Sequence, residues 1–339
     1  MNRVIVIAEA GVNHNGDMAL AKALIDAAAK AGADYVKFQT FVTELNISQA
    51  AAKAEYQITN TGNSESQFEM VKKLELSFEN FTELAVYARH CGVKFLSTAF
   101  DQPSISFLHT LSLDFFKIPS GEITNLPFLR SIGRLKGKVI LSTGMCVIQE
   151  IREAIDVLNT EGTRAEDIIV LHCTTDYPTA MQDVHLDAML TLRKELGVEV
   201  GYSDHTIGIE VPIAATALGA RVIEKHFTLN RNLPGPDHAA SLEPSELESM
   251  VRAIRNIELA LGDDGIKQPT AAEKKNIRIA RKSVHLAHAL KNGHILSEED
   301  FVMIRPGDGI SPMKFEQLLG RSIKAALPKH HKLSWEDVI

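Results

Sequence analysis

The chain has 339 residues, 45% of them hydrophobic, and a formal net charge of −7. That apolar content suffices for one large core and a small second domain, which excludes a disordered chain. The acidic balance, a pI near 6.0 and the confinement of clustered lysine and arginine to Lys274 to Lys282 argue against a nucleic-acid-binding surface.

The first residues, MNRVIVIAEAG, form an apolar run too short to span a membrane, and they lack the small-residue cleavage site of a signal peptide. They read as a first strand, and a cytoplasmic protein with no membrane partner is expected. Cys91, Cys146 and Cys173 share no CxxC spacing and sit in apolar segments, as reduced thiols do. Cys173 stands at a strand end but has no adjacent base, so it is not assigned as a nucleophile or ligand.

From residue 1 to 262 a short apolar strand, a polar strand end and an amphipathic helix alternate. Strands are predicted at Val4–Ala10, Tyr35–Phe41, Lys94–Phe100, Phe115–Ser120, Lys138–Thr143, Ile168–Cys173, Glu199–Ser203 and Val222–Phe227. Helices are predicted at Met18–Ala31, Phe78–Cys91, Pro103–Leu111, Leu126–Leu135, Ile148–Asn159, Leu186–Leu196, Gly208–Gly219 and Pro244–Leu261. This many β/α units fit a closed (β/α)₈ TIM barrel better than an open doubly wound sheet. The connection from Val42 to Ser77, which contains TNTGNSES and then the helix-like QFEMVKKLEL, is unusually long and reads as a lid or substrate wall. Residues 263–282 read as a polar linker. Residues 283–339, dense in glycine, proline and turn pairs, read as a separate small domain of short strands.

A barrel assembles its site at the carboxyl ends of its strands. There the sequence places Glu9, Lys37, Gln39, Thr98, Phe100, Lys117, Ser120, Glu122, Ser142, Thr175, Tyr177, Ser203, Glu224 and Lys225. Lysines and hydroxyls converging on one mouth suit a substrate bearing phosphate and carboxylate groups. Many strand-end hydroxyls also serve as helix caps, and a strand lysine can belong to a layered interior. Glu9 lies inside an apolar strand, where an ionised carboxylate needs a partner or a function. GYSDHT, from Gly201 to Thr206, and IEKHFTL, from Ile223 to Leu229, bracket a helical segment. His205 and His226 are thus about one repeat apart at neighbouring strand ends, where two imidazoles can hold a divalent cation and leave positions open.

The words AEAGVNHNGD, KFQTF, STAFD, KIPSGE, STGM, LHCTTDYP, GYSDHT, IEKHFTL and GPDHAASLEP, followed by RPGDGISP, occur in one order along nearly the whole chain. In them the chain resembles the bacterial sialic acid synthases and their legionaminic acid synthase relatives. The resemblance implies a (β/α)₈ barrel followed by a small antifreeze-like (SAF) domain, assembled as a domain-swapped homodimer. It implies condensation of phosphoenolpyruvate with an open-chain N-acetylated mannosamine-type sugar and release of phosphate. It also implies a divalent metal on His205 and His226, most often manganese, with magnesium or cobalt as alternatives. Lys37, Thr98, Lys117, Ser120, Ser142 and Ser203 fall on positions similar to the phosphoenolpyruvate site. Glu9, Gln39, Phe100, Glu122, Tyr177 and Asp237 fall near the sugar and metal. Arg305 is similar to an arginine that the small domain sends into the partner's site. Thr175 departs from relatives with asparagine there, and a threonine offers fewer donors over a shorter reach.

The expected base for the water that attacks the enol carbon is Glu122, with Glu9 second. The favoured product is N,N′-diacetyllegionaminate from 2,4-diacetamido-2,4,6-trideoxymannose; the alternative is N-acetylneuraminate from N-acetylmannosamine. A barrel using a phosphorylated aldose would want a further basic cluster, and only Lys225 is on offer. A non-catalytic carbohydrate- or ice-binding protein is the remaining alternative, disfavoured by the filled mouth.

Overall fold

The short apolar runs close into one parallel barrel. In the computed structural model, which describes residues 3–62, 64–262 and 265–339, the strands are β1 (Ile5–Gly11), β2 (Tyr35–Thr40), β3 (Lys94–Ala99), β4 (Phe116–Ile118), β5 (Val139–Ser142), β6 (Ile168–His172), β7 (Glu199–Asp204) and β8 (Val222–His226). They pair in sequence order and β8 returns to β1. β4 is shorter than predicted because Pro119 has no N–H to extend the ladder, and Ser120–Glu122 form a 3₁₀ turn instead.

The helices are α1 (Met18–Ala31), α2 (Thr43–Asn46), α3 (Glu55–Thr61), α4 (Gln67–Lys72), α5 (Phe78–Cys91), α6 (Gln102–Thr110), α7 (Leu126–Arg134), α8 (Ile148–Glu161), α9 (Ala188–Leu196), α10 (Glu210–Ala217), α11 (Pro244–Leu261) and α12 (Ala271–Ala280). Helix α1 shows why these segments are helical. Asp17 accepts from the backbone N–H groups of Ala19 and Leu20 and caps its start. Leu24, Ile25 and Ala28 make one buried stripe, and Gly32 ends it in the left-handed region. None of the helices among the described residues is long and apolar enough to cross a membrane.

Two apolar layers hold the barrel. One lies between sheet and helices, and the other fills the barrel itself with Ile7, Leu96, Phe115, Ile140, Leu171 and Val222. Gly201 faces this plug. A Cβ there would sit 2.3 Å from the Val222 carbonyl oxygen and 2.6 Å from Leu171 Cδ2, so only glycine lets β7 approach β8 so closely. Because strand side chains alternate with a period of two, the next inward residues are polar, and they form the floor of the mouth.

The chain divides into two compact units, residues 1–263 and 264–339. The stretch expected as a plain linker contains α12. Thr270 and Glu273 form its capping box: Thr270 Oγ1 accepts from the Glu273 N–H, and the Glu273 carboxylate accepts from the Thr270 N–H. The second unit has one antiparallel pair, β9 (Ser283–Leu286) and β10 (Phe301–Ile304). Besides α12, its described residues otherwise form 3₁₀ turns and isolated bridges rather than the run of short strands expected. Its core gathers Val284, Leu286, Leu290, Leu296, Leu318 and Leu333. Within it, ALKNGHILSEED and ALPKHHKLSWED repeat one motif. In each copy a histidine meets the last aspartate, His294 with Asp300 at 3.0 Å and His331 with Asp337 at 3.3 Å. The copies pair through reciprocal Leu290–Leu327 backbone hydrogen bonds of 2.9 Å.

Candidate active site

On β8 the alternation turns Glu224 and His226 inward and Lys225 outward. Lys225, read from sequence among the mouth residues, is instead fully buried on the opposite face. Its ammonium pairs with Asp204 and donates to the Thr206 carbonyl. It therefore offers no basic group to a ligand, whereas Glu224, read with it at the mouth, does line the cavity.

The floor is an ionic network. Lys37 Nζ lies 2.8 Å from Glu9 Oε2 and 3.7 Å from Glu224 Oε2, and it donates to Thr98 Oγ1 at 3.0 Å. Lys117 donates to Ser142 Oγ at 2.7 Å and lies 3.6 Å from Glu224 Oε1, which also accepts from Ser203 Oγ at 3.0 Å. All these side chains are buried. Burial opposes ionisation of Glu224, yet Lys117 and Lys37 hold its carboxyl below the usual range. Burial pushes Glu9 up against the pull of Lys37. Burial also lowers Lys117. Two ammonium groups facing one another across a shared carboxylate make a strong anion site in a low-dielectric pocket.

Above the floor, His205 and His226 face each other with ring centroids 5.5 Å apart. Tyr177 packs on both, at 4.1 and 5.8 Å. His205 Nδ1 donates to the Thr174 carbonyl at 2.6 Å, which fixes the tautomer that leaves Nε2 with its lone pair. Burial lowers both imidazoles below their ordinary pKa, so they are neutral and able to ligate. His226 Nδ1 and Glu224 Oε2 are buried without hydrogen-bond partners. This donor set fits a divalent cation. Among the described residues no cluster of three or more His, Cys, Asp or Glu forms a complete cage, so the fit is to an open two-nitrogen site.

One cavity of about 290 Å³ joins these groups. Of the residues picked from sequence, it is lined by Glu9, Lys37, Gln39, Thr98, Phe100, Lys117, Ser120, Ser142, Thr175, Tyr177, Ser203, His205, His226 and Asp237. Gln39 donates to Glu9 Oε1 at 3.3 Å. Ser120 Oγ accepts from the Gly144 N–H at 2.9 Å and lies 3.4 Å from Cys173 Sγ. Asp237 has no ion-pair partner among the described residues to offset burial, which pushes it up to about 6. Glu122 does not line the cavity. It stands half-buried on the turn after Ser120, where Pro119 ends the strand, and Asn125 donates to it at 2.6 Å. Arg305 belongs to the second unit, where its Nε donates to the Ala280 carbonyl at 3.0 Å.

Sequence reasoning placed Glu224 at the mouth without a role of its own and did not single out the lid residues Tyr56, Gln57, Gln67 and Met70; all of these line the cavity. For Glu224 the signal was present: it stands two positions before His226, hence on the same strand face. For the lid residues no strand period exists to point them inward.

The closed barrel, with paired lysines and facing imidazoles at the carboxyl ends of its strands, places the chain in the (β/α)₈ class. The family model described as the NeuB family matches residues 24–266, and that of the SAF domain matches residues 281–339. The chain is 52% identical over 321 residues to the N,N′-diacetyllegionaminic acid synthase of Campylobacter jejuni, covering 95% of this chain and 96% of that one. It is 47% identical to the N,N′-diacetyllegionaminic acid synthase of Legionella pneumophila, covering 98% and 94%. The crystal structure of the N-acetylneuraminic acid synthetase of Leptospira borgpetersenii, in complex with citrate, superposes with a TM-score of 0.71 at 34% identity, covering 81% and 90%. The chain belongs to the NeuB family of sialic and legionaminic acid synthases.

Proposed function

We propose that the protein condenses phosphoenolpyruvate with open-chain 2,4-diacetamido-2,4,6-trideoxymannose, releasing phosphate and forming N,N′-diacetyllegionaminate. The observation that carries the reading is the stacking of a two-lysine anion floor directly beneath two facing histidines, in a chain about half identical to synthases of that product. Identity to the sialic acid synthetase is lower, which places N-acetylmannosamine second.

Lys37 and Lys117 hold the phosphate and carboxylate of phosphoenolpyruvate, with Ser142, Thr98 and Ser203 orienting its oxygens. The methylene carbon of phosphoenolpyruvate attacks the aldehyde carbon of the sugar, and the aldehyde oxygen takes up a proton. Positive charge then develops at the carbon bearing phosphate and is balanced by Glu224. Water adds at that carbon, and its proton passes to a carboxylate. The tetrahedral species expels phosphate and leaves the 2-keto acid. Of the carboxylates that line the cavity, Glu224 is held ionised by the lysines, while Glu9 has a raised pKa that suits a base; Glu122, at the rim, is second. His205 and His226 would hold a divalent cation, manganese before magnesium or cobalt. When bound, that cation supplies Lewis-acid polarisation of the aldehyde.

The homodimer implied by the resemblance completes the reading, with Arg305 supplied by the partner. Mixing His205→Ala with Arg305→Ala subunits tests it: recovered activity supports exchange, and none counts against it. Reliance on phosphoenolpyruvate, a cytosolic metabolite, supports a cytoplasmic location. The reaction itself is tested by mass spectrometry of the product from phosphoenolpyruvate, manganese and the diacetamido sugar. A product heavier than the sugar by one pyruvate is expected; recovery of unchanged sugar would overturn the proposal.

A further inference from the structure

The polar floor and the histidines account for the phosphoenolpyruvate and aldehyde ends of the cavity, but not for its opposite wall. That wall comes from the long connection between β2 and α5. Helix α3 contributes Tyr56 and Gln57, and α4 contributes Gln67 and Met70. These helices are held over the mouth by built contacts. Tyr56 packs on Tyr177 with centroids 5.0 Å apart. Asn60 donates to the Pro236 carbonyl at 2.6 Å, beside Asp237. The Glu75 carboxylate accepts from Thr43 N at 2.8 Å and Thr43 Oγ1 at 2.6 Å.

The chemistry of the wall is specific. The two glutamines form a short amide chain. Gln67 Nε2 donates to Gln57 Oε1 at 3.4 Å, and the same Oε1 accepts from the Ala54 N–H at 3.0 Å. Gln57 is thus pinned by backbone, while Gln67 is half-buried and engages only one of its four hydrogen-bonding capacities in that chain. Next to this pair lies an apolar shelf of Val12, Phe41, Leu74, Val71 and Phe100, with Met70 beside it. An amide donor–acceptor pair beside an apolar shelf matches a secondary acetamido group, which presents an N–H, a carbonyl and a methyl. The apolar shelf also matches a deoxy methyl carbon and offers a hydroxyl in that place no partner, whereas the amide pair by itself hydrogen-bonds either an acetamido group or a hydroxyl.

We infer that Gln67, positioned by Gln57, together with Met70 and the apolar shelf, is the specificity determinant of the lid: it reads the second acetamido group and the deoxy carbon of the sugar. This rests on the proposed function and deepens it by assigning the choice of sugar to α3 and α4 rather than to the barrel strands. A hydroxyl in place of the acetamido group is too short to span the amide pair and the shelf together, so N-acetylmannosamine forfeits the shelf's apolar contact, and apolar contacts of that size discriminate by about 10-fold or more.

The test is kinetic. Wild type, Gln67→Leu and Gln67→Glu are compared with manganese and saturating phosphoenolpyruvate on 2,4-diacetamido-2,4,6-trideoxymannose and on N-acetylmannosamine, and the phosphoenolpyruvate KM is measured for each. For both variants the ratio of kcat/KM for the diacetamido sugar to that for N-acetylmannosamine is expected to fall by about 10-fold or more, with the phosphoenolpyruvate KM unchanged. A ratio that stays at the wild-type value, or equal losses on both sugars, would overturn the inference while leaving the functional reading in place. A wild type that prefers N-acetylmannosamine would overturn both. Thermal unfolding of each variant guards the comparison, and because Gln67→Glu keeps the side chain's length, loss of the lid's fold in Gln67→Leu alone does not decide the matter.

Discussion

Asp204 and Lys225 form an ion pair with no exposed surface, one strand face away from the catalytic floor. Removing one partner leaves a buried charge uncompensated. Lys225→Met is therefore expected to destabilise the barrel by about 3–5 kcal/mol, whereas Asp204→Leu combined with Lys225→Met should recover most of that loss; urea denaturation measures both. If the double variant is no more stable than the single one, the pair is not what sets the cost. A second prediction concerns the base. Glu9→Gln should lower kcat by about 100-fold or more while Glu122→Gln lowers it less; steady-state kinetics decides, and the opposite order would return the role to Glu122. At this scale the sequence was legible where a strand period applied. Lys37, Lys117, His205 and His226 stand at strand ends and meet in one cavity. Lys225 misled because adjacent residues on a strand face opposite ways, and Glu122 stands outside the cavity lining because Pro119 ends β4 and turns the chain out of strand geometry before that carboxylate.

At the scale of elements, the lid is the part most open to perturbation. Its entry depends on Glu75, which accepts from both Thr43 N and Oγ1 and takes Lys72 at 2.9 Å. Glu75→Ala should raise the sugar KM several-fold, leave the phosphoenolpyruvate KM little changed and speed proteolytic cleavage between α2 and α4, because loosened lids cost positioning before they cost global stability. Unchanged sugar KM and cleavage rate would contradict this. The barrel elements were readable because each couples an apolar period to a turn signal. The lid was readable as a long connection with one helix-like stretch, QFEMVKKLEL, whose start is α4; α2 and α3 are too short to show a helical period. Helix α12 was missed although TAAE, a capping box, announces it; the lysine-rich residues that follow hid its period.

For the whole molecule, the division into a barrel and a small second unit was legible from the change in composition after Leu261. The duplicated motif of the second unit was not recognised, because its copies share side-chain roles more than long identical words. Metal dependence belongs to this scale as well: chelation should abolish phosphate release and manganese should restore it, while His205→Ala should weaken metal binding measured directly by calorimetry. Activity that survives exhaustive chelation would exclude the metal role.

The most direct test is phosphate release from phosphoenolpyruvate, with manganese and one sugar at a time: 2,4-diacetamido-2,4,6-trideoxymannose, N-acetylmannosamine or arabinose 5-phosphate. The cavity, with its two-lysine floor and amide-lined lid, predicts the fastest release with the diacetamido sugar. Release only with the sugar phosphate, or with none of the three, would contradict it.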